Sequence, residues 1–194
     1  MTVEPTPVRH GLHCRRDAFS LPPHVHYLNG AYMSPLPRVV EEAGIAGIRR
    51  KRLPSELTPP DFFTECDRLR AAFADLVGAP DPLRVALLPA ASYGIATAAR
   101  NLPVERGQNL VLLDEQFPGN VYAWRRLAAE RGAELRTVAR PGEPPRAAAW
   151  NERILEAIDA DTAVVTMPVV HWTDGTRFDL EAIASRAREV GAAL

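Results

Sequence analysis

Leu87-Leu88-Pro89-Ala90-Ala91-Ser92-Tyr93-Gly94-Ile95-Ala96-Thr97-Ala98 reads as an apolar strand end, a turn of small residues, and a helix that opens at a hydroxyl. The first backbone N–H groups of such a helix have no intrahelical acceptor, and the helix dipole is positive there, so the junction suits an anion, most often a phosphate. Ser92 is expected to cap the helix and to offer its own O–H. Ala90 and Ala91 leave room for a ligand to approach the backbone. The plain alternative is an ordinary βα turn with a serine cap, and the rest of the chain has to decide between the two.

Outward from this stretch, residues 84–194 alternate between two patterns. The apolar runs Val85–Leu88, Leu110–Leu113, Leu135–Val138 and Ala163–Met167 are short and nearly continuous, as strands covered on both faces should be. Helical stretches lie near Ser92–Asn101, Gly119–Arg131 and Trp150–Ile158, and another begins after Asp179. The last has a stripe of Leu180, Ile183, Ala184, Ala187 and Val190, and Gly191 closes it. Pro141–Arg146 reads as a polar surface connector. The layout is α/β and doubly wound, an architecture in which ligands gather at the carboxyl ends of the strands.

Before this region, residues 1–34 read as an arm and loop and residues 35–83 as two leading helices. The first helix should follow Pro35-Leu36-Pro37 and run to about Arg52, with Val39, Val40, Ala43 and Ile48 inward. Thr58-Pro59-Pro60-Asp61 has capping-box spacing, and Phe62, Cys66, Leu69, Phe73 and Leu76 then recur at helical intervals up to Gly78. That stripe places Cys66 in a core rather than among nucleophiles.

Composition narrows the function. A 194-residue chain with 46% hydrophobic and 24% charged residues is expected to be soluble and globular. A net charge of −1, with acids and bases interspersed, leaves no electrostatic footprint for nucleic acid or an anionic membrane. No apolar run is long enough to span a bilayer, and residues 1–10 lack a signal-peptide core. Cys14 and Cys66 are in no metal or redox spacing, which suits a reducing cytoplasm. His10, His13 and Cys14 lack the second cluster that a zinc site needs, so no metal is expected. Lys51 is the only lysine, so a mechanism that needs a side-chain amine has one candidate.

The loops after the strands carry the candidate chemistry. The turn at Ser92 is succeeded, after the second strand, by Asp114-Glu115-Gln116-Phe117-Pro118-Gly119-Asn120. After the fourth comes Pro168-Val169-Val170-His171-Trp172-Thr173-Asp174-Gly175-Thr176. An anion cradle, an aromatic face at Phe117 and a cluster of His171, Trp172 and Asp174 together suit a flat, phosphorylated ring. A nicotinamide dinucleotide is disfavoured because no G-x-G-x-x-G comes after the first strand, and no G-K-[ST] marks a nucleoside triphosphate site.

These motifs, with Tyr27-Leu28-Asn29 before them, occur in an order and spacing that resembles the class V aminotransferase family. Its members include cysteine desulfurases, kynureninase and isopenicillin N epimerase-like proteins. The resemblance implies the N-terminal part of a fold type I large domain, with a mostly parallel sheet and flanking helices, left incomplete. It implies pyridoxal 5'-phosphate as cofactor, an amino-acid-like substrate, and a homodimer in the complete form. By the same correspondence Ala91 and Ser92 meet the cofactor phosphate, Phe117 stacks on the pyridine, and His171 and Trp172 lie near its phenolic oxygen. Asn29, Gly30 and Ala31 line the substrate pocket. Relatives often carry a Gly-Thr-Thr type turn where Ala90 and Ala91 stand here, so Ser92 has to supply the remaining hydroxyl. Desulfurases have histidine at the position of Phe117, and the Phe-Pro pair is more like kynureninase.

Two family residues are expected to be missing. The aspartate that pairs with the pyridine nitrogen ends the strand after the last helix, and the sequence stops at Leu194 as that strand should begin. The Schiff-base lysine lies further on, and Lys51 does not align with it. The chain therefore reads as the front half of an enzyme, inactive alone. The alternative is a non-catalytic half that associates with a complementary polypeptide through an open sheet edge.

Overall fold

Residues 13–30, 32–143 and 145–194 are described in a computed structural model. His10 and Ala31, which the sequence singles out, lie outside them. The chain divides into two compact units, Met1–Val85 and Ala86–Leu194, each described by itself.

The second unit is built on three parallel strands, β1 (Asn109–Leu113), β2 (Glu134–Val138) and β3 (Thr162–Thr166), in the order β2-β1-β3. Leu113 pairs with Val138 on one side of β1, and Leu112 pairs with Thr166 on the other. Every residue of β1 is buried, because the central strand is covered on both faces. Leu110 and Leu112 face a cluster with Ala99 of α3 (Ala91–Asn101) and Trp124, Leu127 and Ala128 of α4 (Tyr122–Arg131). Val111 and Leu113 face the opposite cluster, with Trp150 and Ile154 of α5 (Arg146–Ala157) and Ile183 and Ala187 of α6 (Leu180–Val190). This is the α/β arrangement of a parallel sheet between two helical layers, and it brings all three strand carboxyl ends to one edge.

At the opposite edge the strands are tied by side chains. Asn109 donates to Asp159 Oδ1 (2.9 Å) and accepts from the Thr162 hydroxyl (2.9 Å). Arg136 donates to Asp159 Oδ2 (2.8 Å). The Arg136 and Asn109 hydrogen bonds hold the Asp159 carboxyl well below the usual carboxylate range, against a small opposing effect of burial.

Local signals place most element ends. Asp179 caps α6 by accepting from Ala182 N–H (3.1 Å), and Gly191 closes it with φ 76°. Three boundaries differ from the sequence reading. α5 begins at Arg146, so the connector expected over Pro141–Arg146 is shorter. The helix expected from Gly119 is a 3-10 turn, Pro118–Asn120, succeeded by α4. Val85–Leu88, read as the first strand, has no regular structure and joins no sheet, because no strand among the described residues pairs with its backbone. Beyond α6, Ala193 forms a parallel bridge with Val164, with Val165 N–H donating to Ala193 (2.7 Å).

The first unit contains α1 (Arg38–Arg50) and α2 (Thr64–Val77). The capping box at Thr58 and Asp61 is formed, Arg50 pairs with Asp61, and Gly78 ends α2 with φ 68°. The stripes expected to be inward are not. Val39, Val40, Ala43 and Ile48 of α1 are exposed, as are Phe62, Leu69, Phe73, Leu76 and Cys66 on or beside α2. Helical periodicity placed these residues on one face of each helix, but only Ala74 of the two helices is buried. A face has to meet another element to become a core.

The Asp159 ties give the sheet an acid-labile edge. A carboxyl whose folded pKa is depressed adds stability that is present above its unfolded value, about 3.9, and is lost as pH falls through the range below it. Asp159→Asn should therefore melt lower than wild type at pH 7, with the gap narrowing as pH drops below about 4 in denaturation curves monitored by circular dichroism.

Candidate functional site

The residue before α3 is Ala90, with extended φ −158° and ψ 154° and no side-chain cap. Ser92 is thus the second helical residue rather than the N-cap expected from the sequence, because the turn becomes helical one residue after Pro89-Ala90. The consequence is favourable for a ligand. Tyr93 N–H is taken by the Ala90 carbonyl (3.0 Å), while among the described residues Ala91 N–H, Ser92 N–H and the Ser92 hydroxyl have no acceptor or donor partner. All three belong to exposed residues at the positive end of an eleven-residue helix.

The loop after β1 brings an aromatic face to the same place. A Cβ built on Gly119 would meet Phe117 Cδ1 at 3.7 Å and the Ser92 Cβ at 4.0 Å, so the Phe117 ring and Ser92 both lie beside Gly119. Asn120 anchors the end of this loop by accepting from Trp124 Nε1 (2.9 Å) and from the Thr166 hydroxyl of β3 (2.7 Å).

The loop after β3 locks onto the loop after β1. His171 Nε2 lies 3.1 Å from the Asp114 carbonyl oxygen, so Nε2–H donates there, and Nδ1 is hydrogen-bonded with the Thr173 hydroxyl (2.8 Å). The ring is 1% exposed and packs against Trp150, with centroids 4.9 Å apart. Both nitrogens are engaged within the protein, so His171 has none to offer a ligand, and its geometry is that of a latch between loops. Trp172 takes the surface position instead. Its Nε1–H donates to the Glu115 carbonyl (2.8 Å), and its ring meets Phe117 edge to face, 5.5 Å between centroids and 86° between planes. Phe117 and Trp172 are 53% and 59% exposed, which leaves an open aromatic corner.

Charge frames this corner. Arg140, just beyond β2, lies 3.1 Å from Glu115 and 3.8 Å from Asp174, and Arg146 lies 3.9 Å from Asp174. Thr176 N–H donates to Asp174 Oδ1 (3.0 Å), and this bond, aided by the Thr176 hydroxyl, His171 and Arg140, holds the Asp174 carboxyl below its usual range against its partial burial. Arg140 is not among the residues that the sequence singled out, although its place directly after the third apolar run is the same signal that marked the other loops. Asp114 and Glu115 act through their backbone carbonyls, for which side-chain identity gives no signal.

The structure thus brings Ser92, Phe117 and Trp172 to one edge, with Ala91 beside Ser92 and His171 behind Trp172. A hollow of about 480 Å³ lies elsewhere, at the amino ends of the strands, lined by Gln108, Thr162 and Ala193 among others. Asn29 and Gly30 belong to the first unit, where the Asn29 carbonyl accepts from Tyr32 and Met33 N–H (3.2 and 3.3 Å) in a tight turn. Among the described residues no group of three or more His, Cys, Asp and Glu side chains is arranged to hold a metal ion. No helix among them is long and apolar enough to cross a membrane.

A family model for aminotransferase class V matches residues 60–194, which contain all three loops. The chain belongs to the class V aminotransferase family. It is 30% identical over 181 residues to isopenicillin N epimerase of Streptomyces clavuligerus, covering 91% of this chain and 44% of that protein. It is 28% identical over 189 residues to kynureninase of Pseudomonas fluorescens, covering 91% and 42%. The chain thus spans less than half the length of these curated relatives. Among solved structures, the apo cysteine desulfurase of Thermococcus onnurineus superposes with a TM-score of 0.73 at 20% identity, covering 91% of this chain and 44% of that one. A variant of the C-DES protein with glycine covalently linked to its PLP cofactor gives 0.72 at 19% identity, covering 90% and 46%. These likenesses place the second unit's sheet and helices in a fold type I framework.

The latch reading of His171 predicts a loss that packing alone does not restore. His171→Phe keeps an aromatic ring against Trp150 and Phe178 but removes both hydrogen bonds, and should cost about 1–3 kcal/mol in urea denaturation.

Proposed function

We propose that this class V aminotransferase-family chain is the cofactor-cradling front half of a pyridoxal-phosphate-dependent enzyme that transforms an amino-acid substrate. The observation that carries the reading is the nearness of Ser92 to the Phe117 ring, the Ser92 Cβ and the ring edge both lying within 4.0 Å of a Cβ placed on Gly119. Unpartnered donors of Ala91 and Ser92 suit a phosphate, and an exposed aromatic face next to them suits a flat ring. The residues present therefore fit the group.

In this reading the α3 terminus and the Ser92 hydroxyl hold the phosphate through N–H and O–H donors and the helix dipole. Phe117 keeps the pyridine flat, Trp172 walls its edge, and His171 holds the Trp172 loop in register with the Phe117 loop. Asn29, Gly30 and Ala31 serve the substrate side. When bound, pyridoxal phosphate supplies an electrophilic aldehyde and an electron-withdrawing ring. By the family resemblance, a reactive lysine amine and a carboxylate facing the pyridine nitrogen would complete the chemistry, and Lys51, the only lysine here, does not align with that amine. Soluble expression as a homodimer in the cytoplasm accompanies the complete form.

A second reading is favoured by two observations. Among the described residues the outer edge of β3 is paired only at Ala193, and the α1 and α2 stripes are exposed, both of which suit association. In that reading it is a non-catalytic half that takes a complementary polypeptide.

Two charge-assisted hydrogen bonds and a helix terminus give ~3–6 kcal/mol gross, before the cost of immobilising the ligand. The chain alone should then bind pyridoxal phosphate at roughly millimolar strength or weaker in equilibrium dialysis. Ser92→Ala should weaken that binding further, and Gly119→Leu should abolish it without lowering the melting temperature. Borohydride reduction should give only slow, unsaturable labelling of Lys51 or the terminal amine. Stoichiometric labelling at micromolar cofactor would overturn the claim that the chain is inactive alone, and binding unchanged in Gly119→Leu would overturn the site.

A further inference from the structure

The turn that carries Phe117 has two unfavourable features that no helix or strand requires. Glu115 has φ 50°, and among the described residues it is the only non-glycine residue with positive φ. That region crowds the Cβ of an L-residue, and a long side chain such as glutamate has none of the local hydrogen bonding that makes Asn or Asp tolerable there. Next to it, Gln116 is 8% exposed and accepts from Phe117 N–H through Oε1 (3.0 Å), while its Nε2 is buried with no partner. Both features sit within two residues of the Phe117 ring.

The strained backbone is held from three directions. The left-handed conformation turns the Glu115 carbonyl toward Trp172 Nε1 (2.8 Å). The Glu115 carboxylate pairs with Arg140 (3.1 Å), and the preceding carbonyl, of Asp114, takes His171 Nε2–H (3.1 Å). Strain that the surroundings fix this firmly belongs to a geometry the site needs. Without positive φ at Glu115 its carbonyl leaves the indole, and the edge-to-face contact of Trp172 with Phe117 loses its anchor.

We propose that Glu115 is a positioning residue, whose left-handed backbone, clamped by Trp172 and Arg140, sets the right angle between the Trp172 and Phe117 rings. The proposal rests on the reading of this loop as the cofactor's stacking face, but its first test does not need the cofactor. With 5-fluorotryptophan in place of the three tryptophans, fluorine NMR gives one signal each for Trp124, Trp150 and Trp172, and Trp172→Phe assigns the last. Glu115→Gly accepts either backbone conformation and drops the carboxylate. It should melt no lower than wild type, while the Trp172 signal narrows and moves toward that of free fluorotryptophan and those of Trp124 and Trp150 stay. Glu115→Gln, which keeps the side chain's length and removes only its charge, should move the Trp172 signal less.

A Trp172 signal unchanged in Glu115→Gly, or a melting temperature that falls with all three signals shifting together, overturns the proposal, because Glu115 is then only a structural member of the turn. In equilibrium dialysis the same glycine variant should weaken pyridoxal phosphate binding roughly two- to tenfold, the worth of one fixed aromatic contact. Wild type that shows no binding even at cofactor concentrations well above millimolar defeats the functional reading. Wild type that binds, with a glycine variant that binds equally well, defeats the positioning role.

Discussion

Burial of β1 on both faces is the constraint that shapes the rest of the second unit. A strand with Leu110 and Leu112 on one side and Val111 and Leu113 on the other needs helices over each face, and α3 with α4 and α5 with α6 supply them. Parallel neighbours are the result, since a helix has to cross over between successive strands. The same construction delivers the loops after β1, β2 and β3 to one edge. Phe117, Arg140 and Trp172 come together there because of strand polarity, and Ser92 joins them at the start of α3, although the four are scattered over eighty-one positions of sequence numbering, 92 to 172.

At that edge the second unit accepts costs that it avoids elsewhere. Unpartnered donors at Ala91 and Ser92, a left-handed glutamate, an orphaned buried amide and two half-exposed aromatic rings fall within one small region. The opposite edge is saturated: Asn109, Arg136, Asp159 and Thr162 satisfy one another. This asymmetry between a stabilised end and an end left reactive toward ligands is the physical ground for placing the site where the loops meet. The 480 Å³ hollow at the saturated end has no aromatic side chain among the described residues that line it.

The first unit presents a different problem. Its helices are well specified at their ends, with a formed capping box and a left-handed glycine stop, yet their apolar stripes lie open. Most helical stability in proteins comes from packing of such a face rather than from propensity, so α1 and α2 require a cover. The chain spans less than half the length of the curated relatives it matches.

By itself the sequence determined what depends on near neighbours. Three of the four strands, the ends of α2 and α6 at Gly78 and Gly191, the start of α6 after Asp179 and the family's succession of loops could all be read from it, because period, capping and turn chemistry act over a few residues. Tertiary structure decided what depends on partners distant in sequence. Val85–Leu88 had the pattern of a strand and, among the described residues, no neighbour to pair with, and Cys66 sat in an apolar stripe whose residues are exposed. His171 looked like a ligand and is a buried latch, because the Asp114 carbonyl lies fifty-seven residues away in sequence and 3.1 Å away in space. The backbone of Glu115 is set in the same way, by an indole N–H on another loop. A hydrogen bond between two loops is invisible to periodicity, and only the packed sheet that brings their ends together creates it.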